Sequence, residues 1–434
     1  MDLPEPFTSR ILKRLGSNEN QAFIAEFYST PAISIRLNPK RQRTDLDGHN
    51  TPWAENGLYL PHRPEFVFDP AWHAGAYYVQ EASSMVIEQA VLKVLNEIHP
   101  QVALDLCAAP GGKSTHLAAL LPEDCLLVSN EPIPKRNKVL VENVLKWGKP
   151  NSMVTQAYPD ELASSGLQAD FILVDAPCSG EGMFRKDNQA IQEWSAENVL
   201  ACAERQKGIL DSAWEMLSPG GFLVYSTCTF APEENENQLA RLIKETNGKH
   251  IDLKLPEAWG FEERSLGYAA LFHRVKGEGF YFALIQKPGD FSSTLYPGKG
   301  KSFENDWIAH PEDWVVFRKG ENEYGLPRNH LNIHHLNLKF TLPGLPLILG
   351  QGPKEHVAPT LPFAWNFNAS AFPKLELNKE DALNWLKGNV LRGQFEKGWI
   401  GLWYNGLPLG MGKSAGNRLN NHYPKSWRIR KDIV

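Results

Sequence analysis

Short apolar runs alternate with helical patterns through the middle of the chain. The apolar runs predict buried strands, and the stretches between them repeat their apolar residues at helical spacing. Strands with their exit loops are expected at residues 102–107, 125–131, 152–156, 171–180, 221–229 and 279–286. Such alternation is typical of an α/β fold with a doubly wound, mostly parallel sheet.

The segment before this alternation has a different pattern. Helical spacing within residues 7–28, a strand pattern at 32–38 and a Pro-rich stretch indicate a small α+β unit over 1–75. A helix is then expected from residue 73 to residue 95, just before the first strand of the sheet.

The segment after the sheet is rich in Gly and Pro. Short strands dominate it, for example at 339–342, and a short helix is expected at 381–386. An Asn405-Gly406 pair between two apolar runs predicts a hairpin. These changes of pattern divide the chain into four predicted units: 1–75, 76–288, 289–375 and 376–434.

Composition excludes several classes of protein. The 434 residues are 42% hydrophobic and include thirteen tryptophans, which suits packed cores rather than a disordered chain. The net charge of −5 means that any contact with nucleic acid must come from local basic patches. No apolar run is long enough to span a bilayer, and the first residues show no signal-peptide pattern. We therefore expect no membrane partner.

Five cysteines are spread along the chain without a C-x-x-C pair: Cys107, Cys125, Cys178, Cys202 and Cys228. Their odd number and wide spacing argue against a disulfide framework, and the missing pairs argue against zinc. We expect a reduced, cytoplasmic protein without a metal. Cys178 and Cys228 follow two neighbouring predicted strands and should lie at one edge of the sheet. The alternative for each is a small buried hydrophobic residue.

A Gly-rich turn links the first predicted strand to a helix. Glycine lets the backbone approach a ligand closely, and the new helix directs unpaired N–H groups at it. A phosphate-binding P-loop would need glycine where Cys107 stands, and Pro110 would remove one N–H. A dinucleotide or S-adenosylmethionine site is the better reading, although G-x-G-x-x-G is absent. An ordinary strand–helix turn is the remaining alternative.

Glu131 ends the second predicted strand about twenty residues after this turn. Doubly wound folds place an acid there, where it accepts hydrogen bonds from ribose hydroxyls. A lone Glu after a strand can equally be a neighbour of a helix N-cap, so the assignment stays a prediction.

Two basic stretches could contact RNA. One is residues 40–43, which follow the strand pattern at 32–38 and suit phosphate contact. The other is the C-terminal stretch, where basic residues alternate with amides and aromatic rings: Lys413, Arg418, Asn420, Asn421, Tyr423, Lys425, Trp427, Arg428, Arg430 and Lys431. Phosphate contact and base stacking would explain this mixture. A solvated loop and a solvated tail are the alternatives.

Three motifs resemble those of the RsmB/RsmF (Fmu/Sun-type) family of RNA 5-methylcytosine methyltransferases. Cys107-Ala-Ala-Pro-Gly-Gly-Lys113 is similar to the family's cofactor motif. Asp175-Ala-Pro-Cys-Ser-Gly180 and Ser226-Thr-Cys-Thr229 resemble its fourth and sixth motifs. Segments 35–39 and 78–84 resemble its N-terminal part, and the C-terminal region resembles the PUA-like domain of the RsmF branch.

The resemblance implies a class I fold that uses S-adenosyl-L-methionine, with a catalytic unit over 76–288 and RNA-binding units at both ends. It implies these cofactor-binding residues: Cys107, Ala108, Ala109, Pro110, Gly111, Gly112, Lys113, Glu131, Asp160 and Asp175. Asp160 would lie near the adenine. Lys113 could lower the pKa of a thiol or hold the methionine carboxylate, and the sequence does not decide between them.

By the same resemblance, Cys228 is the nucleophile that adds to carbon 6 of cytosine, and Cys178 assists resolution of the covalent adduct. Asp175 would hold the amino edge of the base. The implied partner is small-subunit ribosomal RNA. A tRNA methyltransferase, a non-catalytic RNA-binding assembly factor and a P-loop NTPase remain as rival hypotheses.

Overall fold

The computed structural model describes residues 3–41, 46–350 and 356–431. Its N-terminal part consists of helix α1 (Glu5–Ala25), strands β1 (Ile33–Leu37), β2 (His49–Asn50) and β3 (Gly57–Leu60), helix α2 (Pro70–His73) and strand β4 (Tyr77–Val79). The four strands form an antiparallel sheet in the order β2-β3-β1-β4. Helix α1 bends at Gly16 and packs against loops of the central part, with ring contacts from Phe7 to Phe184 and from Phe23 to Phe230.

The central part alternates strands and helices, as the apolar pattern predicts. Its helices are α3 (Ile87–Leu95), α4 (Gly112–Leu120), α5 (Pro134–Trp147), α6 (Pro159–Ser164), α7 (Asn188–Glu193), α8 (Ala196–Met216) and α9 (Glu236–Thr246). Its strands are β5 (Val102–Asp105), β6 (Leu126–Asn130), β7 (Ser152–Thr155), β8 (Ala169–Asp175), β9 (Leu217–Thr227), β10 (Lys249–Ile251), β11 (Glu262–Glu263), β12 (Tyr268–Ala270) and β13 (Phe280–Gln286).

The C-terminal part is built mainly of short strands. Its strands are β14 (Lys301–Ser302), β15 (Trp314–Lys319), β16 (Asn322–Pro327), β17 (Phe340–Leu342), β18 (Leu345–Leu349), β19 (His356–Val357), β20 (Lys374–Glu376), β21 (Leu391–Arg392), β22 (Gly398–Tyr404), β23 (Leu407–Ser414) and β24 (Arg418–Asn421), and its α-helix is α10 (Lys379–Leu386). The predicted hairpin is confirmed, since β22 and β23 pair around Asn405 and Gly406, which both have positive φ.

The central sheet is mixed, and its middle is parallel. Among the described residues its strand order is β11-β12-β13-β9-β8-β5-β6-β7-β17, with β10 on β13. Strands β7, β6, β5, β8 and β9 run parallel, and β13 returns antiparallel beside β9. Every residue of β5, β6 and β7 is buried because both faces of a parallel sheet are covered. The predicted doubly wound α/β class is confirmed.

One strand of this sheet comes from the C-terminal part. Strand β17 pairs antiparallel with β7, joining Phe340 to Thr155 and Leu342 to Val154. The sequence predicts a strand at 339–342 but does not indicate its partner. The two other C-terminal sheets have the orders β14-β15-β16-β18-β19 and β20-β22-β23-β24-β21.

Two predicted helix starts were wrong. The helix expected across 73–95 begins only at Ile87, because Tyr77–Val79 forms β4 and pairs with β1. Pro232 and the acidic residues after it also favour a helix that opens at Pro232, but α9 begins only at Glu236 and a turn precedes it. In that turn the side chain of Glu234 is bonded to Ser179, and the side chain of Asn235 is bonded to Thr227 and Thr229. The helical pattern does not reveal these contacts.

The basic residues after β1 have a structural role. Arg41 is buried, and its guanidinium donates hydrogen bonds to the backbone oxygens of Ala74, Lys146 and Phe363, so it joins all three parts of the chain. Burial lowers the pKa of Arg41 to about 9. The exposed neighbour Lys40 pairs with Glu123 at 2.8 Å. Neither a solvated loop nor a phosphate contact describes Arg41, and the other two residues of the cluster, 42 and 43, lie outside the described residues.

The aromatic rings of the C-terminal stretch are also structural. Tyr423 and Trp427 are buried in the core that packs β22 and β23 against α10. Asn421 donates to the backbone oxygens of Trp385 and Asn389. The rings of Tyr423 and Trp427 therefore cannot serve as a stacking surface for bases, whereas Arg418, Lys425, Arg430 and Lys431 are exposed.

Among the described residues, no helix combines the length and apolar character that a membrane span requires.

Candidate active site

The Gly-rich turn leaves no room for side chains. Gly111 has φ +114°, and a Cβ placed on it would lie 3.2 Å from Cβ of Asn143. A Cβ on Gly112, the first residue of α4, would lie 3.2 Å from Cε1 of Tyr78. Asn143 also holds the turn from α5 by donating to the backbone oxygen of Pro110 at 2.7 Å. The turn is thus fixed close beneath a helix N-terminus, where backbone N–H groups face a ligand.

Arg36 of the N-terminal sheet supports this turn from behind. Its guanidinium donates to Oγ1 of Thr115 at 2.6 Å and to the backbone oxygen of Gly112 at 3.1 Å, and it lies 4.3 Å from the ring centroid of Trp147. Burial lowers the pKa of Arg36 to about 9. From the sequence, Arg36 is known only as part of segment 35–39, which resembles the family, and no role was predicted for it. The signal that could have revealed it is a charged residue between Ile35 and Leu37 in an apolar strand pattern.

Glu131 stands beside the turn at the carboxyl end of β6. Its side chain is buried, and its carboxylate accepts a hydrogen bond from the backbone N–H of Ile133 at 2.9 Å and lies 3.2 Å from Nη1 of Arg136. Arg136 also donates to the backbone oxygen of Ala109 at 2.9 Å, so one guanidinium links Glu131 to the turn. Cys107, Ala108 and Pro110 complete the turn, and burial raises the pKa of the Cys107 thiol.

Lys113 and Asp175 form an ion pair at the carboxyl edge of the central sheet, next to the ends of β5 and β8. Nζ of Lys113 lies 2.7 Å from Oδ2 of Asp175, and Ser226 donates to the other carboxylate oxygen at 2.8 Å. Burial lowers the pKa of Lys113, but the charge and hydrogen bond of Asp175 and the charge of Cys228 outweigh it, so the pKa is raised. Lys113 therefore stays protonated beside Asp175 and within reach of the charge of Cys228.

The two cysteines meet directly. Sγ of Cys178 and Sγ of Cys228 are 3.0 Å apart, and the backbone N–H of Cys228 lies 3.3 Å from Sγ of Cys178. The hydrogen bond with Cys228 raises the pKa of Cys178 well above its ordinary value, and burial adds to this. Cys178 thus keeps its proton and can donate it to the sulfur of Cys228. Cys125 and Cys202, in contrast, are buried elsewhere.

Asp160 lies apart from this cluster. It occupies the exposed first turn of α6 and lines a cavity of about 750 Å³ with Pro132, Tyr158 and residues 337–339 of the C-terminal part. Pro132 follows Glu131 directly, so the cavity opens next to the predicted ribose site. Tyr158 is 57% exposed there. Sequence reasoning did not single out Tyr158, and an exposed aromatic residue after a strand was the available signal.

Asp105 is a buried acid that sequence reasoning also missed. It ends β5 directly before the turn and accepts a hydrogen bond from Ser114 at 2.6 Å. Burial raises the pKa of Asp105 from 3.8 to about 7. Its only sequence signal is an acid at the end of an apolar run.

The assembled edge suits a nucleoside-containing cofactor and covalent chemistry. A crowded glycine turn and a buried carboxylate at the next strand fit the backbone and ribose of such a cofactor. A thiol pair beside an ammonium group provides a nucleophile whose anion can be stabilised. The fit to S-adenosyl-L-methionine rests on the cradle at Gly111 and Gly112, which a Cβ would fill.

Comparison with known families covers most of the chain. Residues 92–286 match the family described as 16S rRNA methyltransferase RsmB/F. Residues 3–82 match the N-terminal domain of 16S rRNA methyltransferase RsmF, and residues 372–429 match the methyltransferase RsmF PUA domain.

Individual proteins and structures agree with these matches. The chain is 31% identical to ribosomal RNA small subunit methyltransferase F of Vibrio campbellii, over 98% of this chain and 97% of that one. The Vibrio cholerae protein of the same name gives the same identity and coverage. NSun6 from Pyrococcus horikoshii with SFG aligns over 66% of this chain and 99% of its own, with 20% identity and a TM-score of 0.55. A methyltransferase homolog from Pyrococcus horikoshii, 24% identical, aligns over 65% and 100% with a TM-score of 0.54. Both structures share their fold with about two thirds of this chain.

Proposed function

This chain belongs to the RsmB/F family of 16S rRNA methyltransferases, and from that premise we propose that it methylates carbon 5 of a cytosine in small-subunit ribosomal RNA. Its cofactor is S-adenosyl-L-methionine. The observation that supports cytosine chemistry most is the thiol pair, whose sulfur atoms are 3.0 Å apart and of which Cys228 interacts electrostatically with Lys113.

Cys228 is the nucleophile in this proposal. Carbon 5 of cytosine is a poor nucleophile, but a thiolate that adds to carbon 6 makes carbon 5 enamine-like. The new C6–S bond thus lets carbon 5 form its bond to a methyl group. Lys113 supports the thiolate, because its ammonium and the charge of Cys228 attract each other.

Cys178 and Asp175 serve the later steps. After methyl transfer, solvent water takes the proton of carbon 5. The electron pair of that C–H bond restores the C5–C6 double bond while the C6–S bond breaks, which returns Cys228 as a thiolate. Cys178 lies against that sulfur and holds a proton, so it is placed to assist this release. Asp175 holds the amino edge of the base, and its ion pair with Lys113 ties that edge to the cofactor turn.

S-adenosyl-L-methionine supplies an electrophilic methyl group when it is bound. Residues 107–113 would receive its methionine part, and Glu131 its ribose hydroxyls. Asp160 and Tyr158 line the cavity that begins beside Glu131, which suits the adenine end. Under this assignment, Arg36 and Asn143 bind no ligand themselves but hold the turn in the shape that the cofactor needs.

RNA would be held by the parts on either side of the central sheet. We assign RNA contact to the N-terminal unit at 1–75 and to the PUA-like unit at 376–434, with the exposed basic residues of the latter on phosphates. Residues 76–288 form the catalytic unit, and 289–375 link it to the PUA-like unit. A cytosine within a helix must leave its stack to reach Cys228. An RNA substrate of this kind places the enzyme in the cytoplasm.

The test is methyl transfer from labelled cofactor to ribosomal and transfer RNA, with wild type, Cys228→Ala and Cys178→Ala side by side. Cys228→Ala should be inactive and form no covalent adduct, because the nucleophile is gone. Cys178→Ala should accumulate a protein–RNA adduct that survives denaturant, because release is slowed. Cys125→Ala, which removes a buried thiol outside the site, is the matched control and should behave as wild type.

Sequencing of the methylated RNA then identifies the base. Transfer RNA as the preferred substrate would replace the ribosomal assignment. If wild type methylates neither RNA and Cys178→Ala forms no adduct, the two-cysteine mechanism fails and a non-catalytic assembly factor becomes the better reading.

A further inference from the structure

A fully buried carboxylate lies behind the two cysteines. Glu234 is in the turn before α9, six residues after Cys228, and its side chain has no exposed surface. Burial raises the pKa of Glu234, because an ionised carboxylate in the interior loses its hydration. This loss costs folding free energy unless hydrogen bonds to the carboxylate compensate for it. None of the chemical steps above involves it.

The carboxylate of Glu234 holds the loop that carries Cys178. One oxygen accepts a hydrogen bond from the backbone N–H of Ser179 at 2.9 Å, and the other accepts from the hydroxyl of Ser179. Ser179 directly follows Cys178. Gln206 of α8 donates to the same carboxylate at 2.8 Å and to the backbone oxygen of Pro177 at 3.0 Å. The residues on both sides of Cys178 are therefore tied to one group.

The same turn is tied to the strand that carries Cys228. The hydroxyl of Tyr225 in β9 donates to the backbone oxygen of Glu234 at 2.6 Å. The hydroxyls of Ser179 and Thr229 lie 2.9 Å apart, and Thr229 directly follows Cys228. Glu234 thus stands between the loops of the two cysteines and fixes one against the other.

We propose that Glu234 is a positioning residue, whose carboxylate holds Ser179 and thereby keeps the Cys178 thiol against the sulfur of Cys228. The inference rests on the proposed function for its consequence, since a displaced Cys178 slows release of the covalent adduct. The positioning of Cys178 by Glu234 is independent of the proposed function, because it is a property of the protein without RNA or cofactor.

Charge acts in the same direction as position. The hydrogen bond with Cys228 and burial are the main causes that raise the pKa of Cys178, and the charges of Cys228 and Glu234 add to them. The cation of the site, Lys113, acts on Cys228. Cys228 therefore interacts with an ammonium group, and Cys178 interacts with a carboxylate. Such a pair of environments favours a thiolate at Cys228 and a protonated thiol at Cys178.

The first experiment compares Glu234→Gln with Glu245→Gln, which removes an exposed carboxylate in the last turn of the helix that follows, α9. In Glu234→Gln we expect kcat to fall roughly 10- to 100-fold and KM for RNA to fall with it, because slower breakdown of a covalent adduct lowers both, whereas weaker binding would raise KM. The covalent adduct should accumulate as in Cys178→Ala. Glu234→Asp, which keeps the charge, should recover part of kcat, and Glu245→Gln should match wild type.

A second readout needs neither RNA nor cofactor. In a Cys228→Ala background, the rate at which iodoacetamide alkylates Cys178 is measured by peptide mass spectrometry with and without Glu234→Gln. We expect a faster reaction when the carboxylate is removed, because the loop is released and the thiolate is disfavoured less. Faster alkylation without any adduct in the RNA assay would retain the positioning role and overturn the proposed function. Unchanged kcat together with unchanged alkylation would overturn the role of Glu234.

Discussion

At the scale of single residues, the carboxyl edge of the central sheet holds several buried ionisable groups whose charge is set by their immediate partners. Lys113 stays a cation because Asp175 and Cys228 outweigh its burial. Asp105 lies two residues before the cofactor turn and accepts hydrogen bonds from the hydroxyl of Ser114 and the backbone of Cys107, and no cation of the described residues is hydrogen-bonded to it. Its protonation should therefore influence the folding equilibrium.

Replacing Asp105 by Asn should change how stability depends on pH. The folded protein keeps the Asp105 proton up to about pH 7, whereas the unfolded chain loses it near pH 3.8. The folded state therefore binds more protons across this window, and wild-type stability falls as the pH rises through it. At about 1.4 kcal/mol per pKa unit, Asp105→Asn should gain up to about 4 kcal/mol relative to wild type between about pH 4 and pH 7.

The measurement is urea unfolding of Asp105→Asn and wild type at several pH values. The quantity of interest is the difference between their free energies of unfolding, plotted against pH. Asp124→Asn is the control. Burial would raise the pKa of Asp124, but hydrogen bonds from Gln101 and His99 lower it. Its removal should therefore give no gain in this window. A flat difference between Asp105→Asn and wild type would show that Asp105 is ionised at pH 4 in the folded protein.

The site residues that the sequence could reveal are those inside contiguous motifs. Cys178, Cys228 and Lys113 follow strand patterns, so their common edge follows from strand order alone. Arg36 and Glu234 could not be found this way, since their partners Thr115 and Ser179 lie far away in the sequence. For Asp160 the resemblance implies a cofactor contact, and the residue lines the cavity that begins beside Glu131, so this assignment stays a prediction.

At the scale of elements, the link from β5 to α4 depends on backbone shape. Gly111 has a left-handed conformation and stands against Asn143 and Leu140 of α5. An alanine there would meet both strain and crowding, and α5 would have to move away from the turn.

Gly111→Ala should therefore weaken cofactor binding about tenfold and destabilise the fold by about 1–2 kcal/mol. Gly166→Ala is the matched control, because Gly166 also has positive φ, +80°, but has no atom within 4 Å of its added Cβ. That variant should lose about 1 kcal/mol with unchanged affinity. Calorimetric titration with S-adenosyl-L-methionine separates the two, and equal affinities in both variants would contradict the cradle.

At this scale, the sequence failed to predict which distant strands pair with one another. The alternation of apolar runs predicted the five parallel strands and their order in the chain. It predicted a helix over Tyr77–Val79, where pairing with β1 wins over the helical pattern. It also missed that β17 belongs to the central sheet, because nothing local in residues 340–342 indicates a partner almost two hundred positions away.

At the scale of the whole molecule, Arg41 joins the three parts of the chain through backbone oxygens of Ala74, Lys146 and Phe363. All three hydrogen bonds are buried, so bulk water cannot readily replace the guanidinium as the donor. The contact makes the position of the C-terminal part depend on a residue of the N-terminal part.

Arg41→Met should cost about 3 kcal/mol or more in stability, because it leaves buried carbonyl groups without a donor. Lys40→Met removes the same charge one residue earlier and breaks only an exposed pair with Glu123, so it should cost less than about 1 kcal/mol. Urea unfolding and the rate of proteolysis after residue 288 test both variants. Equal losses in the two would mean that Arg41 does not hold the parts together.

The pairing of β17 with β7 also sets an order of events during synthesis. Strand β7 ends at Thr155, and its partner begins at Phe340. At ordinary rates of translation, the second strand follows the first by roughly 10–40 s. Until then the catalytic sheet of the nascent chain presents an open edge, which is the kind of surface that recruits other strands. A ribosome halted before residue 340 would therefore carry a nearly complete methyltransferase whose sheet is unsealed and prone to aggregate.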